Sequence, residues 1–301
     1  FPILNPLREY ACSMGMARVH LIMALVACAD IHYGACFRLS RRPDIKYSCV
    51  QKDNLTGVIQ TTLANLSLDS LSFQRARCPP AKFIDPPARR RDLGALLRDR
   101  GLAGIGVEVG VQKGRYTRTL LEGWRQAALF IQVDAWQHLE KYADKANYNN
   151  SYHSYLQGLA CKEAVDAQGK HLVGQVVQCK DFSTECARLI PDGSLDFVYL
   201  DARHDRKGVL EDLKAYWPKL RIEGIMAGHD YMEQFEVAGS GQHWEWNYDG
   251  TTDETGRTVR GAVNDFFSGT LADSPQDLKH CPRQPVITYQ ESAWNSWIVA
   301  K

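Results

Sequence analysis

The chain has 301 residues, 36 basic against 35 acidic, 45% hydrophobic and 24% charged. This is the make-up of a globular domain, with room for an appendage. A formal charge of +1 gives no reason to expect a nucleic-acid partner. No segment reaches the roughly 20 apolar residues that span a bilayer.

The first region is compositionally distinct. From Met16 an arginine, Arg18, precedes the apolar run Val19 to Ala29, broken only by His20. Ala27-Cys28-Ala29 has the small-x-small form of a signal-peptidase site, so 16–29 reads as a signal or anchor segment. A plain hydrophobic helix packed on the domain is still the first expectation for this run. Sequons at Asn54, Asn65 and Asn149 fit a secretory route. The cytoplasm is nevertheless the first expectation, with membrane contact only if 16–29 is an anchor. Oligomeric state is not legible.

Nine cysteines stand at 12, 28, 36, 49, 78, 161, 179, 186 and 281, none in a C-x-x-C pair that would mark structural zinc. Five fall within the first 80 residues, which suits a disulfide-bearing extension. Buried free thiols are the competing account. Their odd number forbids complete internal pairing.

Cys78-Pro79-Pro80 and Pro86-Pro87 then break the chain, because proline fixes φ and removes a backbone donor. The boundary separates an N-terminal extension of unknown role, 1–85, from a regular domain, 86–301. Residues 89–100 predict a helix with Leu93, Leu96 and Leu97 on one stripe. Strands and helices alternate after it: a strand over Ile105–Val109, a helix over 116–124, a strand over 128–133. A helix over 152–167, a strand over 172–178 and a short helix over 183–190 follow. Leu195–Leu200 reads as a strand, 205–220 as an amphipathic helix with Pro218 disturbing its end, and 222–227 as a strand. Residues 285–289 and 294–300 supply two more strands. This order predicts an α/β fold with a mostly parallel sheet, whose ligands bind beyond the carboxyl ends of the strands.

The motifs fall at those ends. After the first strand comes Glu108-Val-Gly110-Val-Gln-Lys-Gly114. Its E-x-G-x-x-x-G spacing differs from the dinucleotide pattern G-x-G-x-x-G. An acid here would repel a pyrophosphate but suits the amino and sulfonium groups of S-adenosylmethionine. Asp134, ending the second strand, can accept ribose hydroxyls or cap a helix. Trp136 can stack on adenine or fill core. Asp181 and Ser183, after the third strand, can reach the adenine edge or cap the next helix. Asp201 and Asp230 end the fourth and fifth strands, with His204 and His229 beside them. Two carboxylates and a histidine there can bind a divalent cation (Asp201, His229, Asp230) or deprotonate a hydroxyl (Asp201, Asp230, His204). Capping of the following elements is the bland alternative for both histidines. The segment 239–260, with His243, Trp244, Trp246 and Tyr248, reads as a loop over the pocket that contacts the acceptor.

The runs E-V-G-V-Q-K-G, V-D-A-W, L-D-F-V-Y-L-D-A-R-H-D and G-I-M-A-G-H-D-Y, in this order, resemble class I methyltransferases of the macrocin O-methyltransferase type. The resemblance covers about residues 88–301. It implies a Rossmann-like seven-stranded sheet, parallel except for its last strand. It further implies that Glu108, Gly110 and Gly114 hold the methionine part of S-adenosylmethionine and Asp134 its ribose, with Mg²⁺ at Asp201 and Asp230 beside the acceptor hydroxyl. Relatives usually carry an acidic pair after the fifth strand; His229-Asp230 departs from it. The expected function is O-methylation of a hydroxyl on a sugar, glycan or other small molecule. A dehydrogenase-like nucleotide enzyme and a non-catalytic cofactor-binding scaffold are the rivals.

Overall fold

A computed structural model describes residues 49, 52–66, 84–170, 174–288 and 294–301, all within one compact unit, Lys46–Lys301. The expected signal or anchor segment at 16–29 lies outside the described residues. Among the described residues, no helix is long and apolar enough to cross a membrane.

In chain order the elements are α1 (Leu55–Asn65), α2 (Leu93–Asp99), β1 (Ile105–Val109), α3 (Arg115–Gly123), β2 (Leu129–Asp134) and α4 (Asn150–Lys170). Then come β3 (Gln175–Lys180), α5 (Ser183–Ala187), β4 (Leu195–Leu200), α6 (Arg206–Tyr216) and β5 (Leu220–Gly228). The chain closes with α7 (Gln234–Val237), α8 (Val259–Ser268), α9 (Gln276–His280), β6 (Val286–Thr288) and β7 (Ser296–Ala300). The seven strands lie in the order β3-β2-β1-β4-β5-β7-β6. All pairs from β3 to β5 are parallel, and β7 runs antiparallel to both its neighbours. The expected sheet, mostly parallel with an antiparallel last strand, is the observed one.

Two apolar layers cover it. Alternate residues of the central strands, such as Val107, Ile131 and Val198, meet α1, α6 and α8 through Leu55, Leu213 and Phe266. The opposite set, Phe130, Phe197 and Ala227, meets α2, α3 and α4 through Leu97, Leu120 and Ala164. Because both faces are covered, the strands read as continuous apolar runs rather than alternating ones.

Helix α1 precedes the boundary expected at 85/86, yet Leu55 and Ile59 are fully buried in the same core as the strands. Cys49 is bridged to Cys161 in α4, and Lys52 pairs with Asp181. A second bridge joins Cys179 to Cys186, and Cys281 is also disulfide-bonded. Every described cysteine is therefore in a bridge, and the first bridge ties the early segment to the domain.

Candidate functional site

Strand order reverses between β1 and β4, and the chain connections on either side leave a crevice at their carboxyl ends. The β1–α3 turn occupies it. Gly110 has φ +90°, and a Cβ there would lie 2.0 Å from the Asp201 carbonyl oxygen. Gly110 N–H donates to Val133 O at 2.8 Å, while Asp201 N–H donates to Val109 O at 2.8 Å. Gly114, at φ +72° before α3, passes so close to α4 that a Cβ would sit 2.9 Å from Ala160 Cα. Both glycines are thus required by close approach as well as by backbone conformation. Four non-glycine residues also have positive φ, and three of them, Gln112 (50°), Trp136 (41°) and Asp230 (54°), line one cavity. Strained backbone concentrated at a cavity wall marks a functional site.

That cavity, of about 500 Å³, brings together Glu108, Gly110, Asp134, Trp136, Ser183, Asp201, His204 and Asp230. Glu108, Gln132 and Gln178 share one pleat row across β1, β2 and β3. Gln178 donates to Gln132 (3.0 Å), Gln132 donates to Thr117 (2.9 Å), and Thr117 donates to Glu108. Glu108 is 1% exposed, and burial pushes its carboxyl up to about 8 despite the Thr117 hydroxyl.

Asp134 caps no helix. Its two oxygens accept the N–H groups of Gln112 (2.8 Å) and Trp136 (2.7 Å), which fixes the two loops against each other. Burial raises its pKa as well. Trp136 serves both readings at once: it lines the cavity, packs on Leu156 and Ala160, and donates from Nε1 to Gln112 O at 2.9 Å. Ser183 is on the wall and donates its hydroxyl to Asp212. Asp181 stands off the wall, paired with Lys52. Neither residue caps α5 through its side chain.

The opposite half is built from charges. Asp205, not His204, caps α6, accepting from Gly208 N–H at 2.7 Å. This leaves the His204 ring between two carboxylates: Nδ1 is 2.6 Å from Asp144 Oδ2 and Nε2 is 2.8 Å from Asp230 Oδ2. His229 Nδ1 is 2.8 Å from Asp230 Oδ1 and 3.9 Å from Asp201 Oδ1. Arg90 Nη1 donates to Asp201 Oδ2 at 3.2 Å. Burial alone would lower the His204 pKa, but Asp144 and Asp230 raise it well above the usual histidine range. Burial likewise opposes ionisation of Asp230, yet His204 and His229 hold it well below the usual carboxylate range. Asp201 moves upward, because burial outweighs the nearby His229 and Arg90. Donor atoms of Asp201, His229 and Asp230 all lie within 4.8 Å of one another, a set that fits a divalent cation.

The segment 239–260 does not line the cavity. Trp244 is instead buried behind it, stacked on His204 with ring centroids 4.5 Å apart, and Trp294 backs it at 5.5 Å. The expected acceptor loop is thus a buttress at its start. Sequence reading missed Arg90, Asp144, His153 and the Thr117–Gln132–Gln178 chain. Asp144 is 60 residues from His204, and no local spacing announces such a pair. The glutamines did carry a signal, being polar residues inside otherwise apolar strands.

Residues 107–231 match the family model described as "Methyltransferase domain". No match was found among curated proteins. Among solved structures, the chain resembles an O-methyltransferase from Bacillus cereus in complex with S-adenosylhomocysteine at 14% identity and a TM-score of 0.45, covering 83% of this chain and 91% of that one. It also resembles the O-methyltransferase TomG from Streptomyces achromogenes, involved in tomaymycin synthesis and bound to S-adenosylmethionine, at 12% identity and a TM-score of 0.45, covering 84% and 92%. The segment that matches the methyltransferase-domain model holds the glycine turn, Asp134, Asp201 and Asp230 at one end of the sheet.

Proposed function

We propose that the protein is an S-adenosylmethionine-dependent O-methyltransferase of the macrocin type, an enzyme acting on a hydroxyl of a sugar or other small molecule. The observation that supports this reading is the cavity itself, whose wall is shared by the glycine turn, Glu108, Asp201 and Asp230. Glu108 and Gly110 bind the methionine end of the cofactor, with Gly114 shaping the turn against α4. Asp134 and Trp136 take the ribose and adenine side, and Ser183 lies nearest the adenine, while Asp181, off the wall, takes no part. Residues 86–301 form the catalytic domain, to which α1 of the preceding extension adds core.

The sulfonium is already activated, so the protein has to align an acceptor oxygen with the methyl group and take its proton. Orientation alone supplies as much as about 7–11 kcal/mol of such a barrier. The acceptor oxygen attacks the methyl carbon, the carbon–sulfur bond breaks, and S-adenosylhomocysteine leaves as a neutral thioether. Asp201 takes the hydroxyl proton, because its raised pKa makes it the better base of the two strand-end carboxylates. Asp230, fixed by His204 and His229, holds the acceptor side in place. His204, clamped by two carboxylates, contributes positive charge rather than basicity. Asp201, His229 and Asp230 would hold Mg²⁺ or a similar cation, which when bound would acidify and orient the hydroxyl.

S-adenosylhomocysteine is expected to raise the melting temperature, and NAD is not. Acceptor profiling with methyl-labelled cofactor should then place the label on oxygen. Binding of NAD without S-adenosylhomocysteine, or label on nitrogen or carbon only, would overturn the reading. Chelation by EDTA that depresses activity, restored by Mg²⁺, assigns the cation; indifference to both leaves Asp201 acting directly.

A further inference from the structure

His153 lies near the start of α4, a position that no motif singles out. It is 7% exposed, and its side chain lines the same cavity as Asp134 and Trp136. Neither ring nitrogen has a protein partner at hydrogen-bond geometry. The Tyr148 backbone lies close enough only to favour the protonated ring slightly, and burial wins by lowering the pKa. The ring is therefore neutral near neutral pH, with one N–H donor and one acceptor nitrogen.

A buried imidazole with both nitrogens unsatisfied destabilises the fold unless something else fills the bonds. Packing does not require a histidine here, since the adjoining Leu156 and Ala160 make an apolar patch that a leucine would extend. Asp134 faces the same space and is close enough to influence the ring. Its two oxygens each accept one backbone N–H, so each keeps a second lone pair for a ligand hydroxyl. A carboxylate and a neutral imidazole on one wall match a vicinal diol, where one hydroxyl donates to the acid and the other is held by the ring.

We infer that His153 is a further cofactor-binding residue, which hydrogen-bonds a ribose hydroxyl of S-adenosylmethionine alongside Asp134. The inference rests on the cofactor reading above and adds a residue from α4 to it. The ribose is then gripped from two elements, the end of β2 and the first turn of α4. Specificity for a nucleoside with both hydroxyls follows, because removing either leaves a buried polar group unpaired.

Calorimetry with S-adenosylhomocysteine and its 2′-deoxy and 3′-deoxy analogues tests this on the full chain. His153→Ala should weaken S-adenosylhomocysteine about tenfold, the scale of one lost hydrogen bond. His153→Gln, which keeps a donor and an acceptor, should fall between. One deoxy analogue should bind the wild type about tenfold more weakly, and that penalty should vanish in His153→Ala. An unchanged affinity in both variants, or a His153→Ala variant that keeps the full wild-type penalty for each of the two deoxy analogues, overturns the proposal. Should His153→Ala fail to fold, the same cycle on His153→Gln decides, with a reduced deoxy penalty expected and a full one overturning it. A wild type that ignores S-adenosylhomocysteine refutes the cofactor reading itself, and the His153 assignment falls with it.

Discussion

The buried carboxyl groups around the cavity fall into two electrostatic classes, those raised by burial and those lowered by a neighbouring imidazole. On the side proposed for the cofactor, Glu108 accepts from a hydroxyl and Asp134 from backbone N–H groups, and burial pushes both upward. On the side proposed for the acceptor, Asp144 and Asp230 are met by imidazoles, which overcome burial and hold both below the usual carboxylate range, while Asp201 moves upward as Glu108 does. A buried acid without a cation is costly in the charged state. Leaving Glu108 uncompensated makes sense where the missing charge arrives with the ligand, as the ammonium and sulfonium of the cofactor do. Supplying the charge from His204 and His229 makes sense where the ligand is a neutral hydroxyl.

The largest effect is expected at Asp201. Asp201→Asn keeps the shape and should lower turnover by about a hundredfold or more, the usual scale for a positioned acid–base group. Cofactor affinity, measured by calorimetry, should be unaffected, since the other half of the cavity supplies it. Normal turnover in both Asp201→Asn and Asp230→Asn would remove the acceptor half from the mechanism.

Glu108→Gln probes the cofactor half. Losing a charge-assisted contact to the ammonium should weaken S-adenosylhomocysteine about tenfold. The free protein should respond in the opposite sense. The Glu108 pKa is raised from 4.5 to about 8 by burial, so folded protein holds this proton more tightly than unfolded. Its contribution to stability is therefore present below pH 4.5 and is lost as pH rises toward 8. Glu108→Gln should match the wild-type melting temperature near pH 5 and exceed it increasingly toward pH 8.5. A constant difference across that range would mean that Glu108 is not the uncompensated acid described above.

A smaller change is expected from Asp134→Asn. The amide keeps one acceptor oxygen for Gln112 or Trp136 but loses the second, so cofactor affinity should fall by a few-fold. Peptide mapping under non-reducing conditions should recover Cys49 linked to Cys161 and Cys179 linked to Cys186. Free thiols at these four positions would separate α1 and its neighbours from the covalent frame of the site.

Local pattern carried much of this molecule. Ile105–Val109 and Leu195–Leu200 were legible to the residue, because strands covered on both faces are continuous apolar runs bounded by turn residues. The glycine turn and the strand-end acids followed, since in such sheets the ligand site lies where strands end. Helix α8 was not predicted, although Val259, Ala262, Val263 and Phe266 stand at helical spacing, because the aromatic, glycine-rich stretch before it drew the reading toward a loop. Helix α1 lay ahead of a proline break that looked like a domain edge.

What the sequence determined, then, was the order of elements and which acids stand at strand ends, because both depend on neighbours in the chain. Only the tertiary structure decided the charge state of those acids. Asp144 reaches His204 across 60 residues, Cys49 reaches Cys161 across 112, and Lys52 reaches Asp181 across 129. A pKa depends on what surrounds the group in space, and burial next to Thr117 rather than beside an imidazole is what separates Glu108 from Asp230.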